Sequence, residues 1–271
     1  MKNRYVSGLS TALLLCALTA CDPPCESPHP PDTFVLVHGA WQAPYAWQFV
    51  EAQLNELGQK VVVVQLPAHG DDPTPPAETS MELYKKTVVS AIKKIPGKVI
   101  LVGHSMGGAV VTAVAEQIPH KIDKLVYVGA FVPGNGQTLF ELAAYNTESL
   151  LGPALEPSED FLTFGIKSDQ IVPIFIQDGS PALQQLVLDQ YQPEPAPPFD
   201  DPIAVTDRNW GKVDKYFIHT LQDNNLGPDF QEMMFTAAGI TRIYPIESGH
   251  CPFLSRPTET TTILLNISKL N

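Results

Sequence analysis

Apolar positions along the chain switch between two periods. Short runs rich in β-branched residues, at residues 34–37, 60–66, 99–102, 124–131, 215–220 and 241–247, read as strands. Stretches with apolar residues at helical spacing lie between them. Residues 44–57 place Trp47, Phe49, Val50 and Leu54 on or near one face and stop at Gly58. Residues 80–95 form a helix capped by Ser80 or Thr79 and closed by Pro96-Gly97. Helices over 109–118, ended by Pro119, and over residues 228–238 and 257–270 complete the series. Strands alternating with helices at this spacing predict an α/β protein, a mostly parallel sheet with helices on both faces.

The rhythm fails over residues 133–207. Two helices, 137–145 and 181–191, flank irregular chain, and 192–198 is a proline-rich connector. A separate small domain is the weaker reading, because roughly 75 residues with few strong apolar runs bury little core. An insertion following a strand's carboxyl end lies over the mouth of the sheet, so it reads as a helical lid.

Residues 1–32 follow neither period. A basic opening with Lys2 and Arg4 precedes an apolar segment at 9–18, too short to span a bilayer and suited to a signal peptide. It ends in Leu18-Thr-Ala-Cys21, which resembles the lipobox of bacterial lipoproteins and implies cleavage before Cys21 and acylation of that cysteine. Residues 22–32 hold prolines 23, 24, 28, 30 and 31, so they extend as polyproline II, a tether of about 30 Å. The expected organisation is a signal at 1–20, a tether at 21–32 and one domain at 33–271 with its lid at about 133–207. The protein is then exported, either membrane-anchored or periplasmic or extracellular.

Composition narrows the partners. The chain has 271 residues, 44% hydrophobic and 17% charged, with a formal charge of −12. Residues 1–20 carry two of its 17 bases and none of its 29 acids, so their removal leaves 15 against 29, or −14. With no run of Lys or Arg, a nucleic-acid partner is not expected, and the overall field disfavours anionic substrates. The four cysteines make a poor disulfide framework: Cys16 leaves with the signal, Cys21 takes lipid, and a Cys25–Cys251 bridge would pin the tether beside the loop at 248–253. No Cys/His spacing suggests a metal, and no cofactor is implied.

The chemistry lies at the end of the strand 99–102. Gly103-His-Ser-Met-Gly107 fits G-x-S-x-G between a strand and a helix, the context in which that motif exposes a nucleophilic serine on a strained turn. Met106 begins the helix, and its N–H faces positive potential suited to an oxyanion. Ser105 needs a base, and the base needs a carboxylate to fix its tautomer. Of seven histidines, His250 alone falls in a loop after the final strand; His29 is in the tether, His38 and His104 lie within motifs, and His69, His120 and His219 lie in a proline-rich loop, after a helix and inside a strand. Among the acids, Asp214 is at the wrong end of its strand, Asp229 serves a helix start, and Glu247 is too near His250 to reach round to Nδ1. Asp223, three residues past Thr220, fits best, with Asp229 in reserve. The second oxyanion donor is expected in the loop after the first strand, at the N–H of Ala40 beside Gly39.

Val37-His-Gly-Ala-Trp41, Gly103-His-Ser-Met-Gly-Gly108, Asp223-x4-Pro228-x2-Gln231 and Gly249-His250 occur in family order and spacing. From Phe34 onward the chain resembles the plant methylesterase and hydroxynitrile lyase branch of the α/β-hydrolases, with its bacterial esterase relatives. The resemblance implies Ser105 as nucleophile, Asp223 as acid, His250 as base, and the N–H groups of Ala40 and Met106 as oxyanion hole. The lyases carry a lysine directly after the histidine and a threonine after the first strand's histidine; Cys251 and Gly39 stand there instead. The expectation is a serine hydrolase of a small or medium neutral carboxylic ester. A cyanohydrin lyase using the same triad and a non-catalytic ligand-binding member are the alternatives.

Overall fold

The computed structural model describes residues 1–2 and 31–270. The signal segment, Cys21 and most of the tether lie outside the described residues. Among the described residues, no helix is long and apolar enough to cross a membrane.

The chain runs through β1 (Thr33–Val37), α1 (Gln48–Glu56), β2 (Lys60–Val64), α2 (Met81–Lys93), β3 (Val99–His104), α3 (Gly107–Gln117) and β4 (Ile122–Val128). An insertion follows, holding α4 (Leu139–Ala143), α5 (Leu151–Ala154), β5 (Leu155–Pro157), β6 (Thr163–Ile166), α6 (Ile171–Phe175), α7 (Pro181–Gln190) and β7 (Glu194–Pro195). The alternation resumes with β8 (Asp214–Thr220), α8 (Pro228–Ala237), β9 (Ile243–Ile246), α9 (Pro252–Ser255) and α10 (Pro257–Ser268). Six strands form one sheet in the order β2-β1-β3-β4-β8-β9, and every pairing in it is parallel.

Burial follows from that topology. Crossover helices cover the sheet, so central strands are apolar on both faces, and all six residues of β3 are buried. α1 packs on α10, and α2 on α3. The serine of the motif therefore leaves the middle of the sheet at its carboxyl edge, where the loops after β1, β8 and β9 also end.

The insertion contains more than the two expected helices. β5, β6 and β7 make a small antiparallel sheet, with Leu155 opposite Ile166 and Phe164 opposite Glu194. Its strands escape pattern reading because they are two to four residues long. They also contain Pro157, Gly165 and Pro195, which read as breakers. The first helix begins later than its periodicity suggests because Thr138 and Glu141 close a capping box there.

The tight packing of β3 against α3 depends on glycine. A Cβ on Gly103 would stand 2.6 Å from both the Gly107 carbonyl oxygen and Val111 Cγ2. One on Gly107 would meet the His38 carbonyl oxygen at 2.6 Å. Neither backbone neighbour can swing aside. Gly103→Ala should lower the unfolding free energy by about 1–3 kcal/mol, read as an earlier urea midpoint. Gly152→Ala, where an added Cβ meets nothing within 4 Å, should move that midpoint little.

Candidate active site

Ser105 occupies the turn between β3 and α3 with φ +53°, left-handed backbone that a side-chain-bearing residue adopts at a cost. The turn is held by its own carbonyl, which accepts from Gly108 N at 2.9 Å and Phe131 N at 3.1 Å. The loop after β1 presses close: a Cβ on Gly39 would lie 2.7 Å from Ser105 Cβ and from His104 Nδ1. Ala40 and Met106 line the same cavity as Ser105. Among the described residues their N–H groups have no hydrogen-bond partner.

The acid and the imidazole meet behind this turn. His250 Nδ1 donates to Asp223 Oδ2 at 2.8 Å, and both side chains are fully buried. The carboxylate is saturated. Oδ2 also accepts from Thr220 Oγ1 at 2.8 Å and Gln231 Nε2 at 3.1 Å, and Oδ1 accepts from the backbone N–H groups of Asn225 and Leu226 at 2.8 and 2.9 Å. The Pro228 and Gln231 of the spacing motif thus start α8 and present an amide to the acid. His104 Nε2 donates to the His250 carbonyl at 2.9 Å, fixing the imidazole's backbone.

With Nδ1 donating to Asp223, the neutral ring keeps its lone pair on Nε2. Nε2 faces Asn225 Nδ2 at 3.0 Å. Among the described residues, no hydrogen bond joins Ser105 Oγ to His250. The acids set aside in the sequence are engaged elsewhere: Asp214 pairs with Arg242 at 3.1 Å, Glu247 accepts from Gln222, and Asp229 lies in the first turn of α8.

Burial governs the remaining titratable groups. It pulls His38 down to about 3, helped by His69, so His38 is neutral and donates Nδ1–H to the Gly39 carbonyl while Nε2 accepts from Leu66 N. His104 is likewise held well below its ordinary value, first by burial and then by His250. Burial pushes the Cys251 thiol well up, so it stays protonated, its Sγ accepting from Gln42 Nε2 at 2.9 Å.

One buried pair escapes sequence reading. Glu194, from β7 of the insertion, accepts from Trp41 N at 2.6 Å and from His69 Nε2 at 2.9 Å. Trp41 itself sits at φ +57°, and its Nε1 donates to the Phe164 carbonyl at 2.8 Å. The loop carrying Ala40 is therefore clasped by the small sheet. Burial lowers His69, but the Glu194 carboxylate and the Pro67 carbonyl outweigh it and raise the imidazole above its ordinary 6.5. No local signal links residues 69 and 194, which look like two solvated proline-rich loops.

The cavity at Ser105 is narrow, about 70 Å³, and its wall is almost wholly apolar: Trp41, Phe131, Phe140, Phe164 and Phe199, with Asn225 at one side. A larger cavity of about 450 Å³, between α8 and the chain after β4, holds none of these groups.

The chain belongs to the alpha/beta hydrolase family, whose model matches residues 34–262. It is 30% identical over 253 residues to the putative chloroplastic methylesterase 14 of Arabidopsis thaliana, covering 88% of this chain and 72% of that one. It is 26% identical over 250 residues to an alpha-hydroxynitrile lyase of the same plant, covering 83% and 92%. Among solved structures, an extracellular alpha/beta-hydrolase from a Paenibacillus species superposes with a TM-score of 0.75 at 26% identity, covering 87% of this chain and 98% of that one. That structure is described as sharing structural and functional homology with tobacco salicylic acid binding protein 2.

The His69–Glu194 pair carries a pH signature. A raised folded value means that its stabilisation is complete below pH 6.5 and is lost as pH climbs through the raised value. The difference in unfolding free energy between the wild type and His69→Gln should therefore be largest at or below pH 6.5 and shrink at alkaline pH. Chemical denaturation at a series of pH values checks this; a gap that widens with pH would contradict it.

Proposed function

We propose that this protein hydrolyses a small or medium, neutral carboxylic ester through an acyl-enzyme on Ser105. The observation that carries the reading is the buried Asp223–His250 pair, whose imidazole Nε2 lies 3.0 Å from Asn225, a residue lining the same cavity as Ser105. Asp223 holds the ring in the tautomer that leaves the lone pair on Nε2, which must exchange its contact with Asn225 Nδ2 for the Ser105 hydroxyl. His250 takes the Ser105 hydroxyl proton as Oγ attacks the carbonyl carbon, and the oxygen that becomes negative is met by the Ala40 and Met106 N–H groups. The tetrahedral species expels the alcohol, which leaves with the proton from His250, and water then releases the acid. Each oxyanion donor is worth roughly 3 kcal/mol of barrier.

Methylesterase relatives support the ester reading, and the aromatic wall suits an apolar acid part. The lyase reading finds less support. A threonine at position 39 would drive its Cβ into Ser105 and His104, and at position 251 a buried neutral thiol stands where the lyases carry an ammonium. Residues 133–207 act as a lid, since α4, α5, β5 and β6 all contribute to the cavity wall. Export and anchoring through a lipid on Cys21 rest on the sequence pattern at 1–21.

Ser105→Ala should reduce p-nitrophenyl butyrate turnover by about 10⁴-fold or more and abolish covalent labelling by a fluorophosphonate; full activity in that variant would end the assignment. A lyase would instead release aldehyde from a cyanohydrin with no acyl adduct. In a bacterial host, the full chain should partition with membranes and Cys21→Ser should move it to the soluble fraction. Equal partitioning of the two would remove the anchor.

A further inference from the structure

Asn225 sits where a second reactant must stand. Its Nδ2 lies 3.0 Å from Nε2 of His250, so the amide shares the base's single lone pair with whatever else approaches it. Its Oδ1 is buried and, among the described residues, without a hydrogen-bond partner, a costly condition for an acceptor that native structures normally avoid. The side chain is also the one amide or acid among the groups lining the Ser105 cavity. Its backbone is anchored at both ends. The N–H is bound by Asp223 Oδ1 at 2.8 Å, and the carbonyl accepts from Asn146 Nδ2 of the insertion at 2.7 Å. An unpaired acceptor on a fixed turn, beside the base and on a side chain lining the Ser105 cavity, is a built seat for a donor.

We infer that Asn225 is a positioning residue for the water that hydrolyses the acyl-enzyme, an inference that rests on the Ser105 reading above. A water aimed at an acyl carbon must direct a lone pair at that carbon, so both its hydrogens need acceptors. His250 Nε2 takes one and Asn225 Oδ1 takes the other. As the water oxygen bonds to the acyl carbon, one hydrogen passes to Nε2, and the second stays on the oxygen, hydrogen-bonded to Oδ1. The tetrahedral species then breaks its bond to Ser105 Oγ. His250 returns the proton to Oγ, and the free acid leaves. In the acylation half, Nδ2 yields the base to the Ser105 hydroxyl. Asn225 therefore matters for deacylation and not for acylation.

Asn225→Leu, nearly isosteric and without either polar atom, separates the two halves in the full-length enzyme. With p-nitrophenyl butyrate it should give a burst approaching one p-nitrophenolate per site, then a steady rate about tenfold below the wild type, the loss expected for one transition-state hydrogen bond. Intact mass should show a butyryl adduct that disappears with Ser105→Ala. Fluorophosphonate labelling, which reports acylation and an intact fold, should be no slower than in the wild type. Hydroxylamine, a nucleophile that needs no aligned water, should speed the variant more than the wild type. Asn225→Ala should show the same ratio of labelling to turnover if the leucine variant folds poorly. A steady rate equal to the wild type overturns the inference. So does a parallel fall in labelling and turnover, which marks a structural role, or a variant indifferent to hydroxylamine. Turnover surviving Ser105→Ala is a distinct result, removing the acyl-enzyme beneath both readings.

Discussion

A carboxylate and an imidazole, both shut off from water, hold each other through one 2.8 Å hydrogen bond. A buried charge of this kind persists only when its hydrogen-bonding capacity is met, and Asp223 meets it with five donors, His250 itself, two backbone N–H groups of the turn after β8, Thr220 and Gln231. The consequence is geometric. Rotation of the ring would break its bond to the acid, and that bond fixes the tautomer with the lone pair on Nε2. Losing the acid would leave the ring held by packing against Phe175 and His104 and by its contact with Asn225 Nδ2.

The insertion is bound into this arrangement at several points. Glu194 and Phe164 grip Trp41 in the loop after β1, while Asn146 grips both sides of the acid turn through Asn225 and Gly227. The insertion is thus hydrogen-bonded both to the loop after β1 and to the turn after β8. Movement of the insertion would be felt by those two segments together.

Much of this was legible from residue order. Short continuous runs of β-branched residues marked the six sheet strands, because strands buried on both faces need such sequence. The elbow announces itself because its glycines answer contacts that no other residue satisfies. The contact of Asp223 with His250 was reachable by elimination, since a turn after a strand is where an acid can reach across a sheet edge. The small sheet was not legible, its strands being short and carrying proline. Neither was the His69–Glu194 pair, since nothing in two proline-rich loops marks a contact 125 residues apart. Asn225 is the instructive miss. Beside Asp223 it reads as one more turn residue, and only the position of Nε2 gives its amide a meaning.

The proposed chemistry requires that one oxygen be able to reach two backbone N–H groups while Ser105 carries the reacting atom. A crystal structure of the enzyme inactivated by a fluorophosphonate tests this directly. The account predicts phosphorus bonded to Ser105 Oγ, the phosphoryl oxygen within about 3 Å of both the Ala40 and Met106 nitrogens, and His250 still on Asp223. Phosphorus on another side chain, or a phosphoryl oxygen turned away from both amides, would contradict it.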